Sequence, residues 1–292
     1  IQNPASAQCL VGIKPTIGLV PNAGVVPLSS NRDVVGPIAR NVTDAALALD
    51  ILAGYSIEDP KTLSSVDKIP DGGFSKELSK DALKNKKIGL YGPGWRSDEL
   101  SYETEELYER AKSELEHLGA ILIVDPFKDT ELSKLRCITP GTPFFDGRGL
   151  ESLPFDMINY LRRLGSEAPV STWEDFVKIT NFDDLTKPGG NLAYLYELPD
   201  FVKALDTPEV PPKLPEFINL KRKYLKIIDN IFSELSLDAL IYPQMLEELP
   251  SLHSGNAIRE TTVGELNIAG LPAVTVPAGY YKSGAPFELI IF

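Results

Sequence analysis

KIGLYGPGWRSDELSYETEELYERAKSELEHLGAILIV, residues 87–124, carries two short apolar runs separated by a segment of different period. Lys87–Tyr91 is apolar over the length of a strand, whereas Leu107, Ala111, Leu115 and Leu118 recur at helical spacing between Tyr102 and Leu118. Gly119 stops that helix, and Ile121–Val124 reads as a second strand. Strand, helix and strand in this order predict a βαβ unit, hence parallel neighbours under a covering helix and an α/β fold.

Working toward the N-terminus, residues 56–85 are polar and read as a surface connection. Before them, Asn41 or Thr43 can cap a helix through DAALALDILA to Gly54, with Asp44 near the positive end of its dipole. Its strongly apolar face predicts burial. Asn41-Val42-Thr43 is also a glycosylation sequon, but capping is the preferred reading beside a buried helix start. From Gly12 to Leu28, glycine and proline alternate with short apolar pieces, which forbids a helix and predicts an ordered layer of short strands and tight turns.

Working toward the C-terminus, residues 127–215 are irregular, with aromatic clusters at 143–145 and 194–196 that either shape a ligand pocket or pack as loops over the sheet. A helix over 216–235 follows, with Phe217, Leu220, Tyr224, Ile227 and Ile231 on one face. Asp238–Tyr242 reads as a strand stopped by Pro243, and Ala273–Val276 as another after a glycine-proline turn. GYYKSGAP, residues 279–286, is a hairpin or turn candidate. Neither internal repeats nor low-complexity segments are present.

With 292 residues, 43% of them hydrophobic, the chain can bury a substantial core in one large domain or two small ones. A net charge of -12 without any basic run argues against nucleic acid as a partner. Cys9 and Cys137 are distant and form no CxxC, which excludes a zinc site and a disulfide framework but leaves a single bridge open. Cys9 reads as a buried apolar thiol. No apolar run nears the ~20 residues of a membrane span; the compartment stays open, with the cytoplasm favoured.

Histidine occurs only at His117, on the amphipathic helix, and His253, in a polar loop. No GxSxG elbow accompanies them, no phosphate-binding loop follows a strand, and the carboxylates are scattered, so neither a Ser-His-Asp triad nor a metal or cofactor is implied. Both ends look cut: Ile1 is not an initiator, and PFELIIF, residues 286–292, stops inside an apolar strand-like run.

The run IQNPASAQCLVGIKPTIGLVPNAGVVPLSSNRDVVGPIARNVTDAALALDILAG, residues 1–54, narrows the reading much further. It resembles the distal half of the amidase signature, SIRxPAxxxGxxGxKPTxGxVSxxGxxPLSxxxDxxGPxARxVxDAAxxLxxxxG, with Pro4, Gly12, Lys14, Pro15, Thr16, Asp33, Gly36, Pro37 and Arg40 among the matching positions. KKIGLY with its helix and ILIVDPF is similar to the family's next βαβ unit, and LDALIYPQ to its DALLxPT strand. NIAGLPAVTVPAGY is similar to NxxGxPAxxxPxG, PFELIIF corresponds to the PxGLQxxG strand, and residues 155–180 resemble a subgroup of bacterial and fungal amidases.

The resemblance implies a single amidase domain over 1–292, a mixed twisted sheet covered by helices on both faces and incomplete at both ends. It further implies hydrolysis of a small-molecule carboxamide through a serine acyl-enzyme, with no cofactor. The nucleophilic serine would stand immediately before Ile1, and the bridging serine and lysine base further upstream, so the 292 residues alone would be inactive. A non-catalytic amidase-like protein and a protein resembling the amidase-like subunit of a tRNA amidotransferase are the alternatives. Ile1, Gln2, Asn3, Gln244, Asn267, Gly270 and Leu271 would line the substrate wall. Pro4 biases Asn3 toward an extended conformation. Gln2 replaces an arginine common in the family, which disfavours acidic substrates. Lys14, Thr16, Asp33 and Arg40 read as structural, with Lys14 pairing or capping inside the loop layer and Asp33 pairing Arg40 across the Gly36-Pro37 turn.

Overall fold

A computed structural model describes residues 1–138 and 146–292. The aromatic cluster at 143–145 lies outside the described residues. The chain divides into two compact units, one of residues 1–21, 34–135 and 223–292, the other of 22–33 and 136–222.

The first unit carries a mixed sheet of β1 (Val11–Lys14), β2 (Ile38–Ala39), β3 (Lys87–Leu90), β4 (Ile121–Ile123), β5 (Ala239–Pro243), β6 (Ala273–Tyr280) and β7 (Pro286–Ile291), in the order β2-β1-β6-β7-β5-β3-β4. The expected βαβ unit is present: β3 pairs in parallel with β4, and α3 (Tyr102–His117) links them. Ser101 caps α3 by accepting the Thr104 N–H, and Leu107, Tyr108, Ala111 and Leu115 pack against Ile88, Leu90, Phe287 and Leu289. β5 joins β3 in parallel, whereas β7, β6 and β1 run antiparallel to their neighbours.

β6 is longer than its sequence suggests. It passes through Pro277 and Gly279, where the register slips against β7, and turns back as the 279–286 hairpin. The bulge accommodates a residue that cannot donate to the ladder.

On the apolar face of the sheet, α2 (Val42–Leu52) starts at Asn41, whose Oδ1 accepts the Asp44 N–H at 2.9 Å. Only part of this helix is buried: Ala45, Ala46 and Leu49 are covered, while Leu47 and Ile51 are 49% and 85% exposed. The mean apolarity of the segment hid this division. On the opposite face lies α1 (Gln2–Ser6), a five-residue helix followed by the turn into β1. Asn3 is therefore helical, which corrects the extended conformation expected before Pro4. Proline is tolerated there because its missing N–H falls in the first turn, where no intrahelical acceptor exists. Gly12 permits this packing, since a Cβ on it would lie 2.7 Å from the Ala5 Cβ.

The second unit replaces much of the irregular reading of 127–215 with helices: α4 (Leu153–Arg163), α5 (Trp173–Thr180), α6 (Phe182–Thr186) and α7 (Phe201–Asp206). They enclose a core of their own around Leu153, Met157, Trp173, Phe182, Leu195 and Phe201. None of the four exceeds eleven residues, so each shows too few turns for a clear period. α8 (Pro215–Leu235) begins in this unit and continues into the first. α9 (Gly264–Ala269) precedes β6. Among the described residues no helix is long and apolar enough to cross a membrane.

Candidate functional site

The α1 face of the sheet carries buried polar side chains beside apolar ones such as Ile290, where the opposite face is apolar. Alternation along β7 places Phe287 and Leu289 in the α3 core and leaves Glu288 on the other side. Thr275 stands opposite Gly12 in the β1–β6 ladder, beneath α1. Gln244, immediately after β5, is fully buried and donates its backbone N–H to the Glu288 carbonyl at 2.8 Å.

A linear side-chain network crosses this face. The Thr275 hydroxyl donates to Gln244 Oε1 at 3.1 Å, and Gln244 Nε2 donates to Asn3 Oδ1 at 3.1 Å. Two residues remote in sequence, Asn3 and Gln244, thus meet. The carbonyl of Gln244 accepts the Thr261 N–H at 3.1 Å, and the Thr261 hydroxyl donates to the Pro243 carbonyl. Residues 260–265 are held in turn by Trp95 Nε1, which donates to the Thr261 carbonyl at 3.3 Å, and by Arg96, which donates to the Glu260 carbonyl at 2.7 Å and ion-pairs with Glu265 at 3.3 Å.

A second tie links β1 to the turn after α9. Lys14 is 2% exposed, and its Nζ donates to the Leu271 carbonyl at 2.6 Å, while Ile17 N–H donates to the Gly270 carbonyl at 3.0 Å. Gly270 ends α9 at φ 74°, a left-handed position natural to glycine. Asn267 lies inside α9 and not in the turn.

The remaining expected residues are scattered. Ile1 is half-buried at the start of α1, and Gln2 is buried with its Nε2 lacking a hydrogen-bond partner. Thr16 is exposed. The expected Asp33–Arg40 pairing gives way to another arrangement: Asp33 Oδ2 accepts the N–H groups of Leu28 and Ser29 at 2.8 and 2.7 Å, and Arg40 is exposed with no carboxylate partner among the described residues. A short carboxylate facing consecutive amides caps its own turn more readily than it reaches a guanidinium.

Cys9 is half-exposed and not a buried thiol. Its φ of 57° places it in the left-handed region, and its Sγ lies 3.3 Å from the Tyr280 hydroxyl. Both cysteines are free. Among the described residues no cluster of three or more His, Cys, Asp or Glu could hold a metal ion.

Glu288 was not anticipated. It is 2% exposed, neither carboxylate oxygen has a hydrogen-bond partner among the described residues, and burial pushes its pKa up to about 8, only partly offset by the nearby Leu10 N–H, which donates instead to the Ala5 carbonyl. It is therefore mostly neutral at pH 7. Its signal in the sequence is an acid in the middle of PFELIIF. Thr275 and Thr261 left no such signal, since threonine is ordinary in strands and turns.

The amidase family model matches residues 1–137. A probable amidase of Arabidopsis thaliana is 28% identical over 99% of this chain and 50% of its own length. A mitochondrial subunit of the glutamyl-tRNA(Gln) amidotransferase of Ornithorhynchus anatinus is 29% identical over 99% of this chain and 53% of its own. Among solved structures, an amidase family protein from Bacillus anthracis matches with a TM-score of 0.70 and 25% identity, over 100% of this chain and 51% of that one. The native peptide amidase of Stenotrophomonas maltophilia matches with a TM-score of 0.67 and 25% identity, over 99% and 55%. The chain spans about half the length of these relatives.

Proposed function

We propose that the chain, whose residues 1–137 match the amidase family model, is a member of the amidase signature family and forms the substrate-facing wall of an amide hydrolase. The intact protein cleaves a small-molecule carboxamide to a carboxylate and ammonia or an amine through a serine acyl-enzyme. In this reading the nucleophile precedes Ile1 directly, its bridging serine and lysine base lie further upstream, and the 292 residues alone do not turn over substrate. The observation that carries it is the meeting of Asn3, close behind the expected nucleophile position, with Gln244 from the far end of the chain. Ile1, Gln2, Asn3 and Gln244 form one side of the wall. The Gly270-Leu271 turn, fixed by Lys14, forms another, with Asn267 on α9 just before it.

A second reading, one component of an amidotransferase, draws on the relatives of that name. One assay separates the two. Ammonia release from benzamide and phenylacetamide is measured with the 292-residue chain and with a polypeptide that extends it N-terminally to the length of its relatives. Release by the long form alone, lost when the residue before Ile1 is replaced by alanine, is the expected result. Turnover by the short form overturns the reading, and release that requires an added partner protein favours the second.

A further inference from the structure

Asn3 is half-buried, and its Oδ1 is occupied by Gln244 Nε2. That leaves its Nδ2, which has no protein partner among the described residues, as the polar atom it offers outward. The orientation is imposed from beneath. Thr275 and Gln244 are both fully buried, so water cannot substitute for a lost partner within the chain. With the Thr275 hydroxyl donating to Oε1, Gln244 must present Nε2 to Asn3, and Asn3 must answer with Oδ1. Turning Gln244 over, with Asn3 turning in answer, would make the Thr275 hydroxyl an acceptor and leave its buried proton without an acceptor among the described residues. A hydroxyl buried in β6 therefore decides the hydrogen-bonding character of a side chain on α1.

We propose that Thr275 and Gln244 are positioning residues that hold Asn3 as a hydrogen-bond donor, so that this wall selects ligands presenting an acceptor oxygen and rejects those presenting only N–H donors. This rests on the reading that Asn3 borders the substrate site. It concerns binding alone, so a protein inert toward amides still permits the test, and failure here leaves the hydrolase reading standing.

The probes are N,N-dimethylbenzamide, which only accepts, and benzylammonium chloride, which only donates. Each is titrated into the 15N-labelled chain, and the side-chain amide signals of Asn3 and Gln244 are followed. Dimethylbenzamide should move them at a concentration at least tenfold lower than benzylammonium. Thr275→Val, which removes the hydroxyl but leaves Asn3 in place, should bring that ratio toward one, and Thr275→Ser should restore it. Asn3→Asp, with an acceptor now facing outward, should reverse the preference when read at Gln244. Equal response to both probes, response to neither, or preference for benzylammonium in the unaltered chain overturns the proposal. A ratio unchanged in Thr275→Val removes the positioning role. Asn3→Asp alters a half-buried side chain and keeps the test decisive should Thr275→Val fail to fold.

Discussion

The two faces of the central sheet share their strands but not their chemistry. Toward α3 and α2 the strands present Val11, Ile13, Ile88, Leu90, Ile241, Phe287 and Leu289, an interior that needs only shape and volume to be stable. Toward α1 they present Thr275, Gln244 and Glu288 beside Ile290, with Asn3 and Gln2 above them. Such a face costs stability, because buried polar atoms gain little beyond the water they lose and unpartnered ones are a net loss. Glu288 and Gln2 both contain such atoms. A domain selected for stability alone would have filled this side with apolar residues, as it filled the other.

Adjacent residues on β7 offer the sharpest contrast. Phe287→Ala opens a cavity in the apolar face and should destabilise the chain by about 4 kcal/mol, read as a lower midpoint in urea denaturation. An effect below about 1 kcal/mol would mean that this face is not the principal core.

Glu288→Met should act in the opposite direction. Because the folded-state pKa of Glu288 is raised, the folded chain holds a proton that the unfolded chain releases as pH climbs above the usual carboxylate range. Its contribution is therefore most favourable at low pH and is lost progressively until pH passes about 8. The substitution should stabilise the chain by roughly 2 kcal/mol at pH 8 and flatten the fall in stability between pH 5 and 8. Urea melts across that range check it, and a wild-type profile that rises with pH would contradict the assignment.

Thr275→Val leaves Gln244 Oε1 without its donor in a dry site and should cost about 1–2 kcal/mol by thermal melting. Val274, one residue away on the same strand, belongs to the apolar cluster. Val274→Thr should cost a similar amount for the converse reason, a hydroxyl brought where no partner waits. If either exchange proves neutral, the difference between the faces is weaker than their composition suggests. The smallest effect belongs to Tyr242→Phe. The Tyr242 hydroxyl is buried without a partner, and its ring packs among Trp95, Tyr91 and Phe292, so removing the hydroxyl should change stability by less than about 1 kcal/mol, toward greater stability, in calorimetry.

How much was legible from the chain follows the length and independence of each pattern. α3 repeats its apolar spacing over four turns and sits between two unambiguous runs, so the βαβ unit could be read directly. α8 was read nearly to its ends, although Ile228 rather than Ile227 is the buried residue of the pair. α1 was not read, because five residues with a proline inside them carry no period and the helix exists by resting on Gly12. The helices of the second unit were missed for a related reason: each is short, and their stability comes from the shared core around Trp173 and Phe201 rather than from local preference. Of the residues in and beside these networks, Asn3, Gln244 and Leu271 were reached through the family pattern, whereas Thr275 and Glu288 were not.

By itself the sequence determined the α/β class, the parallel β3–β4 pair, the Asn41 cap and the family that the pattern of residues 1–54 resembles. These depend on local spacing and on residue types that allow one backbone solution. Only the tertiary structure decided that Asn3 meets Gln244, that Lys14 ties down the Leu271 turn, that Asp33 holds its own loop and that Glu288 is buried without a donor. Each of these turns on which strands become neighbours and which face a residue occupies, and a side chain's partner far away in the chain is fixed by register, which local spacing does not encode.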